Sequence, residues 1–224
     1  MRRTVIACET IEGELQRLLP PGVELRVLDR GLHQTPRRLT ESIQREIDSA
    51  NADEVLLGYG LCGGGIAGLR ASNCRLVVPR VDDCISILLG SAERYREEFQ
   101  REPGTYWLSE GWIENARDPY REYQRSREKY GEETARWLAA EMMRGYRRLA
   151  LIDTGVCPVD RLRGYAREFA AFFRLEYVEM VGSDALLRSL LFFRETAPGL
   201  VVVVEPGGTV SADSFLPALA TING

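Results

Sequence analysis

Histidine occurs once in this sequence, and its five cysteines include no CxxC pair. Basic residues, 29 of them, do not outnumber the 33 acidic ones, and the net charge is -4. Each shortage excludes something. Without a basic footprint, nucleic acid is not the expected partner. An odd number of scattered cysteines is not a disulfide framework, so in a reducing compartment these are free thiols or metal ligands. A single histidine leaves a cysteine-nucleophile enzyme without an obvious imidazole base unless His33 approaches Cys8, Cys62 or Cys84. No apolar run reaches the ~18 residues of a membrane helix; the longest, such as LVVVVEP at 200–206, are strand-sized. The N-terminus lacks the apolar core of a signal peptide, so a cytoplasmic location is expected.

What is present is a rhythm. Short apolar runs alternate with amphipathic stretches over 224 residues, the pattern of an α/β protein. TVIACE, ELRVLD, EVLLGYG and RLVVPRV read as four strands. TIEGELQRLL reads as a helix with Ile11, Leu15, Leu18 and Leu19 on one face. LTESIQREIDSA reads as a second helix capped by Thr40. DDCISILLGSAERYREEF reads as one helix, capped by Asp82 or Asp83, and GTYWLSEGW as a short strand and turn. Residues 114–146, with Arg117, Arg121, Arg125 and Arg127 among many acids, read as an exposed, charged helical excursion. Strands then resume at RRLALIDTG, LEYVEMVG and LVVVVEPGGTV. The expectation is two Rossmann-like lobes with mostly parallel sheets around a central cleft. They are placed at 1–113 and 147–224, with 114–146 as the connection.

Parallel strands place their C-terminal ends along one edge, where ligands bind. Cys8 ends the first strand, Cys62 follows the third and Cys84 follows the fourth, so all three come to that edge. Cys74 starts the fourth strand, on the opposite edge, and reads as structural. Cys157, after the first strand of the second lobe, is a weaker candidate from across the cleft. Three thiolates suit zinc or an iron–sulfur cluster; the alternative is small residues packed beside glycines. His33 is a further candidate ligand, and its pKa is suited to proton transfer. Gly60, Gly63 and Gly64, with Tyr59 and Arg80, are candidates for holding a cofactor, because glycines let backbone amides approach a ligand; the other reading is that the glycines allow a tight turn and close approach of Cys62 to its site. The run has no P-loop Lys-Ser/Thr. Glu9, His33 and Asp83 are the candidate acids and bases.

Several segments together are similar to an uncharacterised family, the domain of unknown function family 1638: Ala7-Cys8, GLHQTP at 31–36, LGYGLCGGGIAGL at 57–69, PRVDDC at 79–84, LLGSAERY at 88–95 and GTYWLSEGWIE at 104–114. Where the family commonly has histidine before the Asp-Cys pair, this chain has Asp82, and the resemblance implies Asp82 as a candidate oxygen ligand in its place. The resemblance implies a soluble bacterial or archaeal protein accompanying corrinoid-dependent methyltransferase systems, and it brings no established reaction. It supports treating Cys8, Cys62 and Cys84 as a set. Two functions follow as expectations. One is a metalloprotein acting on a small molecule in one-carbon metabolism. The other is a non-catalytic small-ligand-binding or accessory protein for a methyltransferase system, with oligomerisation open.

Overall fold

The strands and helices form where apolar side chains recur at strand or helix spacing. The computed structural model describes residues 1–115, 118–192 and 199–215. In chain order the elements are β1 (Arg3–Cys8), α1 (Glu12–Leu18), β2 (Glu24–Leu28), α2 (Pro36–Ser49), β3 (Glu54–Gly58), β4 (Arg75–Pro79), α3 (Cys84–Leu89) and α4 (Ala92–Arg101). They continue with β5 (Thr105–Leu108), α5 (Glu110–Glu114), α6 (Pro119–Tyr130), α7 (Glu132–Met142), β6 (Arg148–Asp153), α8 (Asp160–Phe173), β7 (Glu176–Val181), α9 (Ala185–Leu191) and β8 (Val201–Val204). The chain is mixed α/β with mostly parallel sheets, as the alternation of runs predicts. No helix among the described residues is long and apolar enough to cross a membrane.

The chain divides into two compact units, each discontinuous in sequence. Unit 1 contains Met1–Cys8, Leu18–Ile87 and Leu186–Gly224; unit 2 contains Glu9–Arg17 and Leu88–Ala185. This differs from the contiguous segments expected at 1–113, 114–146 and 147–224, and strand pairing explains why. β5 pairs with β6 rather than with the earlier strands, and β8 pairs with β4.

Unit 1 is built on a sheet of order β2-β1-β3-β4-β8. Its first four strands are parallel and β8 is antiparallel. β1 and β3 are buried on both faces, which is why they read as continuous apolar runs. On one face Leu39, Ile43 and Ile47 of α2 pack with Ile6, Leu57, Leu76 and Val78. Their spacing along α2 is one helical stripe. α2 starts earlier than expected: Pro36 takes its first turn and Thr35 precedes it. Thr40 is no cap; its hydroxyl donates to the Pro36 carbonyl at 3.0 Å and the Gly65 carbonyl at 2.7 Å.

Unit 2 has a parallel sheet of order β5-β6-β7. Leu149 and Leu151 of β6 pack against Leu162, Ala166 and Phe169 of α8. The helix expected over 82–99 is two helices. Gly90, at φ +74°, breaks it, and Ser91 caps α4 by accepting from the Arg94 amide. Helices α6 and α7 are not a free excursion. Tyr123, Ala135 and Ala139 are buried against Phe172 and Phe173 of α8. Asp118, fully buried, accepts from the Tyr120 and Arg121 amides and from the Tyr165 hydroxyl at 2.7 Å. Arg117 lies outside the described residues.

Candidate functional site

In the strand order 2-1-3-4 the crossover direction reverses between β1 and β3, and in open α/β sheets ligands bind outside the carboxyl ends of the strands at such a reversal. Cys8 is the last residue of β1, and its neighbour Ala7 is in register with Gly58, the last residue of β3. The chain leaves β3 through Tyr59 and Gly60 into a single turn, Cys62–Gly64. Cys62 sits at φ +50°, followed by Gly63 at +64° and Gly64 at +88°. A left-handed backbone at a side-chain-bearing residue costs roughly 1–2 kcal/mol, so neighbours must hold it.

Hydrogen bonds to the loop after β4 do so. The Leu61 amide donates to the Val81 carbonyl at 2.9 Å, and the Cys62 amide to the Asp82 carbonyl at 2.7 Å. The Gly64 amide closes the turn on the Leu61 carbonyl at 3.0 Å. Gly60 permits the contact: a Cβ there would lie 2.6 Å from the Asp83 amide nitrogen and 2.8 Å from the Val81 carbonyl. The glycines thus have separate duties, close approach at Gly60 and positive φ at Gly63 and Gly64.

The paired loops carry Cys62, Asp82 and Asp83. Burial pushes the Cys62 thiol up to about 12; the nearby Asp83 and Cys8 push the same way, and the Gly60 amide opposes them. Asp83 accepts from the Ile85 and Ser86 amides at 2.9 and 3.2 Å, capping the helix that Cys84 begins. Asp82 contributes its backbone carbonyl. His33 lies in the 3-10 segment Arg30–Gln34 after β2; its Nδ1 lies 3.0 Å from the Arg30 carbonyl, and its ring stacks on Tyr59 with centroids 6.0 Å apart. A carbonyl only accepts, so Nδ1 carries the proton and Nε2 is the basic atom. The Arg80 amide donates to the Leu200 carbonyl, and its Nε has no hydrogen-bond partner among the described residues.

The structure therefore brings Cys8, Cys62, Tyr59, Gly60, Gly63, Gly64, Asp82, Asp83 and Cys84 into unit 1, with His33 beside Tyr59. Cys74 is buried in the core of the same unit, where the sequence reading places it as structural. Glu9 and Cys157 belong to unit 2. There the Asn115 amide reaches the Glu9 carbonyl at 3.5 Å, and burial, then Glu110, raises the Cys157 thiol. Among the described residues no group of three His, Cys, Asp or Glu side chains is arranged to hold a metal ion. The sequence reading also missed Glu14, buried with 2% of its surface exposed. Its placement three residues after Ile11 and four before Leu18, on the apolar stripe of that helix, is the pattern that marks it.

A family model described as a protein of unknown function (DUF1638) matches residues 27–191. No curated protein and no solved structure matches the chain.

Proposed function

We propose that this chain, which belongs to the DUF1638 family of proteins of unknown function, binds a thiophilic metal centre at the β1/β3 edge of unit 1. The centre would be zinc or an iron–sulfur cluster, with Cys8 and Cys62 as thiolate ligands and Cys84 as the third. The observation that carries the reading is the Cys62 turn. A cysteine is held in left-handed backbone by two bonds to the adjacent loop, close enough to Cys8 for their charges to interact. Strain of this kind persists where the surroundings over-determine it, which is common at functional sites.

The donors fit in part. Cys8 acts electrostatically on Cys62, and Cys84 begins the helix next to the loop that holds Cys62. No third ligand stands with them among the described residues, so a complete shell requires Cys84 or His33 Nε2 to turn inward. When bound, such a metal supplies Lewis acidity toward a small thiol or methyl acceptor, in keeping with the corrinoid-linked one-carbon setting that the family resemblance implies. The chain's own part is to surrender the Cys62 proton, held to about 12 in the absence of metal, so affinity should rise with pH.

The test is metal content and absorbance of protein purified without oxygen, wild type beside Cys62→Ser. Stoichiometric zinc or iron that the variant loses supports the reading. Metal-free protein in both, with five titratable thiols in the wild type, defeats it. A second reading, a small-ligand pocket without metal, is favoured by the His33–Tyr59 ring pair and the neutral Cys62 thiol. It predicts ligand binding that survives Cys62→Ser.

A further inference from the structure

We propose that unit 2 carries a second site, a divalent-cation site built on Glu14 and Glu110 at the carboxyl edge of its own sheet. β5 ends at Leu108 and is followed at once by Ser109 and Glu110; β6 ends at Asp153 and is followed by Thr154 and Gly155. These strands are parallel neighbours, so both loops leave from the same edge.

Two close approaches press the Glu9–Arg17 segment onto this edge. A Cβ on Gly111 would lie 2.3 Å from the Thr10 carbonyl oxygen. A Cβ on Gly13 would lie 2.9 Å from Glu110 Oε2 and 2.8 Å from Val156 Cγ1. Glycine at both places lets the Glu110 carboxylate rest against the backbone immediately before Glu14. Glu14 itself is buried. Its Oε1 accepts from the Thr154 hydroxyl at 2.6 Å, and its Oε2 is buried with no hydrogen-bond partner. Ser109, fully buried, also has a hydroxyl oxygen without a partner. Buried polar atoms left this way are uncommon in native proteins and call for an occupant.

The charges around this pair are of both signs, and the cations among them have other partners. Arg17 is engaged with the Thr154 and Gly155 carbonyls at 3.0 and 2.6 Å, and Arg161 with Glu114 at 2.8 Å. Asp153 accepts from the Gly155 amide. Glu110, half-buried, makes no ion pair among the described residues. Burial, reinforced by Glu110, raises the Glu14 carboxyl against the opposing Thr154 hydrogen bond and Arg17 charge, so it tends to keep its proton. A cation replaces that proton. Two carboxylates completed by water are the usual protein share of a Mg2+ shell, and oxygen donors suit Mg2+ and Mn2+ over softer ions.

The experiment uses the full chain, treated with chelator and titrated with Mn2+ while free Mn2+ is followed by electron paramagnetic resonance. Wild type is expected to take up one equivalent that Mg2+ displaces, with affinity rising by up to about tenfold per pH unit where one proton is displaced. Glu110→Gln, on the half-buried rim, and Glu14→Gln are each expected to weaken binding by at least about tenfold. Glu114→Gln and Cys62→Ser are expected to bind as wild type does, which separates this site from the cysteine edge. If wild type takes up no Mn2+, or Glu110→Gln binds as tightly as wild type, the proposal is overturned.

Discussion

Gly60→Ala separates steric from conformational demands on the turn that holds Cys62. The added methyl would stand 2.6 Å from the Asp83 amide nitrogen, 2.8 Å from Asp83 Cα and 2.8 Å from the Val81 carbonyl oxygen. All three are backbone atoms, so no side chain can swing away. Overpacking of this kind costs about 1–3 kcal/mol. Parting the loops also weakens the Leu61–Val81 and Cys62–Asp82 bonds, worth about 0.5–1.5 kcal/mol each. The expected loss is therefore about 2–6 kcal/mol. Gly63→Ala is the control. A Cβ there meets nothing within 4 Å, so only its φ of +64° counts against it, at about 1–2 kcal/mol. The three tryptophans, Trp107, Trp112 and Trp137, all lie in unit 2, so their fluorescence does not report directly on unit 1. Hydrogen exchange of peptides from β3 and β4 reads the right unit. A thiol reagent gives the functional counterpart. Pushed up to about 12 by burial, Cys62 holds a far smaller thiolate fraction than an ordinary thiol at any neutral or mildly alkaline pH. Opening its turn to water should raise its reactivity. If Gly60→Ala exchanges no faster than Gly63→Ala and leaves Cys62 equally unreactive, the paired-loop account is wrong.

Glu54→Gln should cost about 3 kcal/mol, because Glu54 is buried with Arg3 at 2.9 Å and Arg75 at 4.0 Å; urea unfolding followed by circular dichroism measures it, and an unchanged midpoint refutes it. Asp118→Ala should loosen α6 by about 1–2 kcal/mol through the lost cap and strand the Tyr165 hydroxyl; faster exchange confined to α6 and α8 is the expected pattern. Glu14 has its folded pKa raised above 4.5. Its contribution is fully present below that unfolded value and is lost as pH rises through the folded one. Wild type should therefore lose stability relative to Glu14→Gln as pH climbs above 4.5, read by tryptophan fluorescence in urea; a difference independent of pH refutes it.

Much of the fold was legible because both-face-buried strands announce themselves. RTVIAC, EVLLG and RLVVP need no context to read as strands, and their order placed Cys8, Cys62 and Cys84 at one edge. What was not legible is what depends on partners distant in sequence. Nothing local in VVVV says that it returns antiparallel to β4, 122 residues after that strand's last residue. The α6–α7 segment is rich in charge, and its small buried contacts, Ala135 and Ala139, carry little apolar weight against that background. The breaks at Gly90 and at Thr35–Pro36 are local and readable: a glycine followed by a serine cap, and a proline at the first helical turn. At the site, periodicity located the cysteines but could not tell close approach from positive φ among neighbouring glycines.

The pairing of β8 with β4 has a consequence for synthesis. As the chain emerges, β1 to β4 can assemble early, and the continuous stretch Leu88–Ala185 can follow with its sheet complete. Throughout that interval β4 has no neighbour on its outer side, and Leu76 to Val78 present an apolar, unpaired edge. Such an edge is a template for another chain. The open interval lasts until Val201–Val204 leaves the ribosome, so slower translation through unit 2 lengthens the exposure and favours intermolecular pairing.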